Sequence, residues 1–175
     1  MLSAELATEN GRIVAEYEDF RVHEMVMSKE KLQWLWTEMQ KYRTLFSDLT
    51  RGDLDNFAGL VLSNDSIWFE VYAHDVLVGI IYFTEMHLVI DCETHLIFFD
   101  RKPKEKTELC KQVARWMFDN FPINRITATI PKIYWATIAL AKAIGFQVEG
   151  RKRQSQLMGN RWVDEVILGL LRSEV

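Results

Sequence analysis

The spacing of apolar residues predicts two amphipathic helices in the first third of the chain. Ser28 and Asp53 each stand immediately before such a run, and both residue types accept hydrogen bonds from the first turn of a helix. Apolar residues three and four positions apart lie on one helical face and are buried together. The first predicted helix carries Leu32, Leu35, Trp36, Met39 and Tyr42 on that face, and the second carries Leu54, Phe57, Ala58 and Val61.

Strands are predicted where β-branched and aromatic residues cluster with a period of two. Residues 11–27 alternate loosely and predict one irregular first strand. Residues 67–73 and 76–83 are separated only by His74 and Asp75. A break of two residues is typical of a hairpin, so we expect these two strands to pair antiparallel.

A strand, a helix and a second strand are predicted between residues 95 and 130. Residues 95–99 and 125–130 have strand composition, and the helix between them ends before Pro122. The apolar positions of this helix are Leu109, Cys110, Val113, Met117 and Phe118. Because a connection that contains a helix joins parallel strands, the two strands should be parallel neighbours in an otherwise mostly antiparallel α/β sheet.

The hydrophobic period changes at a single point in the last forty residues. A helical run from Tyr134 ends at Gly145, and glycine is the residue that most easily adopts the left-handed conformation that ends a helix. We therefore expect a positive φ at Gly145. From Phe146 onward the period is two, and the Gly159-Asn160 turn divides the remaining residues into the two strands of a hairpin.

Several of these C-terminal features together resemble one known superfamily. They are the helix stop at Gly145-Phe146, the pair Glu149-Gly150 followed by Arg151 and Arg153, the Gly159-Asn160 turn, and Trp162 and Asp164 before an apolar strand. Residues 95–172 are similar to the C-terminal half of the GNAT N-acetyltransferases, most closely to the branch that acetylates ribosomal proteins at their N-termini. The resemblance implies one acyltransferase domain over residues 1–175, with a mixed, mostly antiparallel, splayed sheet flanked by helices.

The resemblance also implies where an acyl-CoA binds. In this superfamily the pantetheine arm lies beside the strand that corresponds to residues 95–99, and the pyrophosphate sits on the N-terminus of the next helix. That helix end favours anions on physical grounds too, because its free N–H groups and its dipole are positive. The implied contacts to acetyl-CoA, as co-substrate, are Phe98, Phe99, Arg101, Lys102, Lys104, Lys106, Thr107 and Tyr134.

The loop before that helix departs from the superfamily pattern. With Arg101 aligned to the Gln or Arg of the family loop, Lys104 and Lys106 stand where glycines belong. Glycines let the backbone approach phosphates closely, whereas lysines meet phosphates with ammonium groups in a mode that salt weakens. The alternative interpretation is a solvated basic loop that only caps the helix.

The residues expected to carry the chemistry also depart from the pattern. The asparagine often found near the start of the fourth helix corresponds to Tyr134, and the tyrosine that often protonates the leaving thiolate corresponds to Ala141. A general base must lie within hydrogen-bond reach of the attacking amine. The candidates that flank the predicted central strands are Glu85, Glu93 and His95. The alternative is that each of these three is an ordinary surface or hydrogen-bonded residue.

Composition and charge limit the partners and the cellular compartment that we expect for this protein. The chain has 175 residues, a formal net charge of -4 and a pI of about 5.6, so we expect neither nucleic acid nor a membrane surface as partner. The longest apolar run, residues 76–83, is too short to span a bilayer. Cys92 and Cys110 are too few for a disulfide framework and have no metal-ligand spacing. We expect a cytoplasmic protein without a metal.

Two functions remain open on the sequence. The first is an acyl-CoA-dependent N-acetyltransferase that moves an acetyl group to a primary amine. The second is a catalytically inactive GNAT-like protein that binds a protein partner or has a structural role, for example a phage-encoded accessory protein of head assembly. The chain has no Gly-x-Ser-x-Gly, Walker or His-Glu-x-x-His motif and no His or Cys cluster with metal-ligand spacing, so the sequence gives little support to a hydrolase or a metalloenzyme.

Overall fold

The structure is a computed structural model that describes residues 11–41, 53–99 and 103–175, except the side chains of residues 103–105. Its strands are β1 (Ile13–Tyr17), β2 (Phe20–Glu24), β3 (Ile67–Ala73), β4 (Val76–His87), β5 (Asp91–Phe98), β6 (Arg125–Pro131), β7 (Gln147–Met158) and β8 (Arg161–Leu171). Its helices are α1 (Lys29–Met39), α2 (Leu54–Val61), α3 (Pro103–Asn120), α4 (Trp135–Ile144) and a short 3₁₀ helix (Arg172–Glu174).

All the strands lie in one sheet in the order β1-β2-β3-β4-β5-β6-β8-β7. Neighbouring strands are antiparallel except β5 and β6, which are parallel and are joined through α3. The predicted α/β fold with a mixed, mostly antiparallel sheet is confirmed.

The two predicted N-caps are confirmed. The Ser28 hydroxyl accepts a hydrogen bond from the Lys31 backbone N–H, and the Asp53 carboxylate accepts one from the Asn56 N–H. Each bond satisfies a donor that the first helical turn leaves without a partner. Tyr42, the last residue of the predicted apolar stripe, lies outside the described residues.

The N-terminal prediction of one irregular strand is wrong, because residues 13–24 form the two antiparallel strands β1 and β2. The turn between them places Glu18 at a φ of 52°. A turn of this kind usually contains glycine or asparagine. The turn is Glu18-Asp19 and contains neither, so the sequence carried only a weak turn signal and the alternation appeared continuous.

The parallel pair was correctly predicted, but its position was wrong. The strand assigned to residues 95–99 begins four residues earlier, at Asp91, and ends at Phe98. Pairing with β6 covers only Asp91–Glu93, opposite Arg125–Thr127. From Thr94 onward the structure shows no pairing of β5 with β6, so the sheet splays at Glu93. The polar segment Asp91–Thr94 lacked strand composition because the sheet face on which Asp91 and Glu93 lie is polar.

Helices cover the two faces of the sheet with two separate apolar clusters. On the face covered by α3 and α4, here the α3 face, a larger cluster joins residues such as Phe69, Leu109, Met117 and Leu168. On the opposite face, here the α1 face, α1 and α2 pack on residues including Trp68, Ile80, Tyr82 and Ile97. The α3 face therefore carries most of the core.

The abrupt end of α4 fixes where β7 begins. Gly145 has a φ of 130°, which confirms the predicted left-handed stop. The backbone N–H groups of Gly145 and Phe146 both bond to the Ala141 carbonyl. Phe146 is consequently turned into the core, and β7 starts at the next residue.

Candidate active site

Glu93 lies at the point where the sheet splays. It is the last residue of β5 that pairs with β6, opposite Thr127, and its partner on β4 is Thr84. Cys92 points into the α3-face core, so the alternating pleat places Glu93 on the α1 face. Its side chain is partly buried, and within the described part of the chain it makes no hydrogen bond or ion pair. Glu93 therefore has a carboxylate available to a ligand.

His95 lies two residues further along β5, on the same face. Its ring stacks on Tyr82 with centroids 4.6 Å apart, and its Nε2 lies 2.9 Å from Thr84 Oγ1. Burial lowers the pKa of His95 from 6.5 to about 4, against a smaller opposing effect of the Glu85 carboxylate. At neutral pH the imidazole is therefore uncharged and held in a fixed orientation.

Tyr82 connects the histidine to the apolar cluster beneath α1 and α2. The Tyr82 ring stacks on Trp68 with centroids 4.0 Å apart, so Trp68, Tyr82 and His95 form a continuous stack across β3, β4 and β5. Burial raises the pKa of the Tyr82 phenol, and the Glu93 carboxylate raises that pKa further. The phenol stays protonated at neutral pH and is close enough to Glu93 to sense its charge.

Glu85 lies at an irregularity of β4. Strand pairing with β5 is interrupted between Thr84 and His87, and Glu85 has a φ of 52°. Its side chain is exposed. The structure thus brings the three predicted candidates, Glu85, Glu93 and His95, to one corner of the sheet, with Glu93 nearest to the splay.

The predicted acyl-CoA contacts lie around the other end of β5. Phe98 packs against the α3-face cluster and Phe99 against the α1-face cluster, so the two rings point to opposite sides of the sheet. Lys106 is 2% exposed, with its ammonium 4.5 Å from the centroid of the Phe98 ring. This lysine is packed against the strand, and its contact with a phosphate stays a prediction.

The remaining predicted contacts are only partly described. Thr107, in the first turns of α3, is partly buried. Tyr134 precedes α4 and packs against the α3-face cluster. Arg101 and Lys102 lie outside the described residues, as does the side chain of Lys104. Their contribution to anion binding also stays a prediction.

Sequence reasoning missed a group of polar residues beside the splay. Arg125 donates hydrogen bonds from both terminal nitrogens to the Glu149 carboxylate and from Nε to Thr127 Oγ1, 3.0 Å away. The Glu149 pair raises the pKa of Arg125, and the same contact lowers the pKa of Glu149. Alternation along residues 125–130 already placed Arg125 and Thr127 on the face opposite Ile126, which was the available signal.

The two cysteine thiols lie apart from this corner. Cys92 and Cys110 are free and buried, and burial raises the pKa of each thiol to about 12. Neither thiol ionises at neutral pH, so neither is an activated nucleophile. Among the described residues no group of His, Cys, Asp and Glu side chains is arranged to hold a metal ion, and no helix has the length and apolarity needed to cross a membrane.

Solved structures with the same fold include several acetyltransferases. RimL, a ribosomal L7/L12 alpha-N-protein acetyltransferase in complex with coenzyme A, superposes with a TM-score of 0.75 at 10% identity, over 91% of this chain and 98% of that one. A spermidine N-acetyltransferase from Vibrio cholerae in complex with CoA and spermine gives 0.73 at 15% identity, over 89% and 97%. A ribosomal-protein-S5-alanine acetyltransferase from Vibrio fischeri gives 0.69 at 13% identity, over 91% and 97%.

Sequence comparison gives the family directly. A search of curated protein sequences found no match. The model of the acetyltransferase (GNAT) domain family matches residues 14–167, which include the splayed strands and the candidate residues on β4 and β5. The chain therefore belongs to the GNAT acetyltransferase family.

Proposed function

We propose that the protein is an N-acetyltransferase that uses acetyl-CoA to acetylate a primary amine, with Glu93 as general base. The observation that carries the proposal is the position of Glu93, a partly buried carboxylate without a described partner at the last paired residue before the splay. We further propose that residues 1–175 act as one domain.

The chemistry of the fold neighbours supports an amine acceptor. The names of RimL and of the spermidine enzyme describe transfer to amino groups, and both structures contain CoA. An amine is mostly protonated at neutral pH and must lose a proton before it attacks a carbonyl carbon. A carboxylate beside the acceptor is suited to take that proton.

The residues present fit an acyl-CoA. From Thr94 to Phe98 the edge of β5 that faces β6 is not used in sheet pairing, so its N–H and C=O groups are available to the amides of a pantetheine arm. The positive N-terminal end of α3 follows β5 by a few residues and favours a pyrophosphate. When bound, the thioester supplies an electrophilic carbonyl carbon and a thiolate leaving group.

The site geometry supports the following roles for the protein's own residues. Glu93 takes a proton from the acceptor ammonium, and the neutral His95, held by Thr84 and Tyr82, keeps a second positive charge away from that ammonium. Ala141 is buried in the core where the family resemblance places a proton-donating tyrosine. We therefore propose that the leaving thiolate takes its proton from solvent.

Binding and turnover test the proposal separately. Calorimetry with acetyl-CoA should give an affinity that is micromolar or weaker and that falls between low and physiological salt, because lysines replace the glycines of the phosphate loop. Replacing Lys104 and Lys106 by glycine should reduce that salt dependence if the backbone then closes on the phosphates, or abolish binding if the ammonium groups form the site.

Turnover should be measured with spermidine and with short peptides bearing a free N-terminus. Glu93→Gln should lower kcat by about 10²–10⁴-fold with acetyl-CoA affinity unchanged. Glu18→Gln, the same chemical change at the exposed turn between β1 and β2, is the control and should have no effect. Equal activity of the two variants would remove Glu93 as the base.

The second candidate function is a catalytically inactive GNAT-like protein that binds a protein partner. The observations that favour it are the phosphate loop without glycine and the exposed rings of Trp135 and Trp162, which are 76% and 60% exposed. If the wild type gives no heat with millimolar acetyl-CoA at low salt, the acetyltransferase proposal fails and this second function is the better account.

A further inference from the structure

A chain of polar side chains crosses the α1 face beside Glu93. Arg125 on β6 forms a two-pronged ion pair with Glu149 on β7, although β8 lies between these two strands. The same arginine donates from Nε to Thr127 Oγ1, two residues further along β6. The hydrogen-bonded chain therefore runs from β7 to the residue that stands opposite Glu93 on β6.

Gly169 makes this crossing possible. It lies on β8 directly between Thr127 and Gln147. A Cβ atom at this position would lie 2.5 Å from Glu149 Oε1 and 2.7 Å from Arg125 Nη2, which is closer than real Cβ contacts. Any side chain at residue 169 would displace the Arg125–Glu149 pair, so glycine at this position leaves the space that the pair needs to cross β8.

Arg125 determines which further hydrogen bonds the Thr127 hydroxyl can make. A hydroxyl accepts through two lone pairs and donates one hydrogen. Arg125 Nε occupies an accepting position, and a guanidinium has no acceptor to take the hydroxyl hydrogen. The hydrogen of Thr127 is therefore directed away from Arg125.

Glu93, which stands opposite Thr127 on β5, has a carboxylate that can accept that hydrogen. The two residues are paired neighbours on adjacent strands and share the α1 face. Strands lie about 4.8 Å apart, a gap that a glutamate side chain spans by rotating about its own bonds. On the other side of Glu93, its paired neighbour on β4 is Thr84, whose hydroxyl is already hydrogen-bonded to His95.

We propose that Thr127, oriented by Arg125 and Glu149, donates a hydrogen bond to Glu93 when the glutamate side chain turns toward β6, and so aims this carboxylate at the splay. Thr127 is a positioning residue, and its role in turnover rests on the proposed function. Among the described residues of the three adjacent strands, the titratable groups close to Glu93 in the strand pairing are Tyr82 and Glu85 on β4, Asp91 and His95 on β5, and Arg125 on β6.

The test compares Thr127→Val, which keeps the shape and removes the hydroxyl, with Thr127→Ser, which keeps the hydroxyl. The pKa of Glu93 is measured by NMR titration of ¹³C-labelled glutamate carboxylates without any substrate, and the Glu93 signal is assigned as the one that Glu93→Gln removes. A hydrogen bond to a carboxylate lowers its pKa. Thr127→Val should therefore raise the pKa of Glu93 by about one pH unit, and Thr127→Ser should leave it near the wild-type value.

Kinetics provide the second measurement. Thr127→Val should lower kcat about tenfold without changing KM for the amine, as expected from one lost hydrogen bond to a charged group. Thr127→Ser, which keeps the hydroxyl, should have the kcat of the wild type. Glu149→Gln should shift the pKa of Glu93 in the same direction by a smaller amount. Glu165→Gln is the control, because it makes the same chemical change on the same face of the sheet, on the neighbouring strand β8. It should leave the pKa of Glu93 unchanged.

The outcomes separate this inference from the proposed function. If the protein has no acetyltransferase activity, the NMR titration still decides whether Thr127 bonds to Glu93. If the valine and serine variants give the same pKa for Glu93, the inference is overturned even where the enzyme is fully active. Should Thr127→Val not fold, Glu149→Gln against Glu165→Gln gives the same decision.

Discussion

The two faces of the sheet are built on different principles. The α3 face packs apolar residues from α3, α4 and seven of the strands into the larger cluster. The α1 face has the smaller apolar cluster but holds most of the buried polar residues, namely His23, Lys31, Glu70 and Thr84. Burying polar groups costs free energy unless they are paired. The comparison indicates that the α3 face stabilises the fold, while the α1 face accepts polar groups and carries the candidate catalytic residues.

The ion pair between Lys31 and Glu70 shows this difference most clearly. Lys31 Nζ lies 3.0 Å from a Glu70 carboxylate oxygen, and the two residues are 5% and 1% exposed. Glu70 also adds to the effect of burial in raising the pKa of the Tyr72 phenol. The pair joins α1 to β3, and it therefore positions the helix that covers the α1 face.

The largest expected effect is the loss of one partner of this pair. Glu70→Ala should lower the free energy of unfolding by about 3–5 kcal/mol, because it leaves the Lys31 ammonium buried without a counter-charge. Replacing both residues, Lys31→Met with Glu70→Leu, should be neutral or stabilising. Denaturant titration measures both, and Glu24→Ala in the exposed pair with Arg12 is the control, with a change of about 0–1 kcal/mol.

Truncation of the α3-face core should affect stability alone. Leu109 is fully buried on α3, so Leu109→Ala should cost about 2–5 kcal/mol by leaving a cavity. The kcat of the Leu109→Ala variant, measured well below its melting temperature, should equal that of the wild type. Leu62→Ala, at a leucine that is 61% exposed, should change stability by about 0.5 kcal/mol or less. A large fall in kcat for Leu109→Ala would contradict the division of roles between the faces.

Acid sensitivity should originate on the α1 face, at His95. Its pKa is about 4 in the folded protein against an ordinary value of 6.5, so below pH 6.5 the unfolded chain takes up the proton first. Stability is therefore complete above pH 6.5 and falls as the pH drops toward 4, by up to about 3 kcal/mol. His95→Phe keeps a ring against Tyr82 and should flatten this part of the stability curve. Parallel curves for wild type and variant between pH 6.5 and 4 would show that His95 is not the cause.

The smallest expected effects come from one glycine on each side of the sheet. Gly145 ends α4 at a φ of 130° with Leu170 beside it, so Gly145→Ala should cost about 1–2 kcal/mol. Gly59 lies in α2, and a Cβ added there would meet nothing within 4 Å. Gly59→Ala should therefore stabilise by about 0.5–1 kcal/mol, since alanine favours a helix. Thermal melts of both variants measure the opposite signs, and a stabilising Gly145→Ala would contradict the strained helix stop.

Local signals in the sequence determined much of the fold. The caps at Ser28 and Asp53 and the stop at Gly145 are satisfied by atoms a few residues away. The alternation of strands and the crossover through α3 likewise follow from neighbouring residues and connection length. The same signals gave Glu93 and His95 as candidates, but only as two polar positions near a central strand.

Tertiary structure alone decided the arrangement around Glu93. The strand pairing that ends at Glu93, the hydrogen bond between Thr84 and His95, and the crossing of Arg125 to Glu149 above Gly169 all join separate strands. Strand register places these residues side by side, and the register is fixed by which faces pack against α1, α2, α3 and α4. A sequence pattern gives the face on which a residue lies, but not the residue of the next strand that stands opposite it, and the candidate site is made from such pairs.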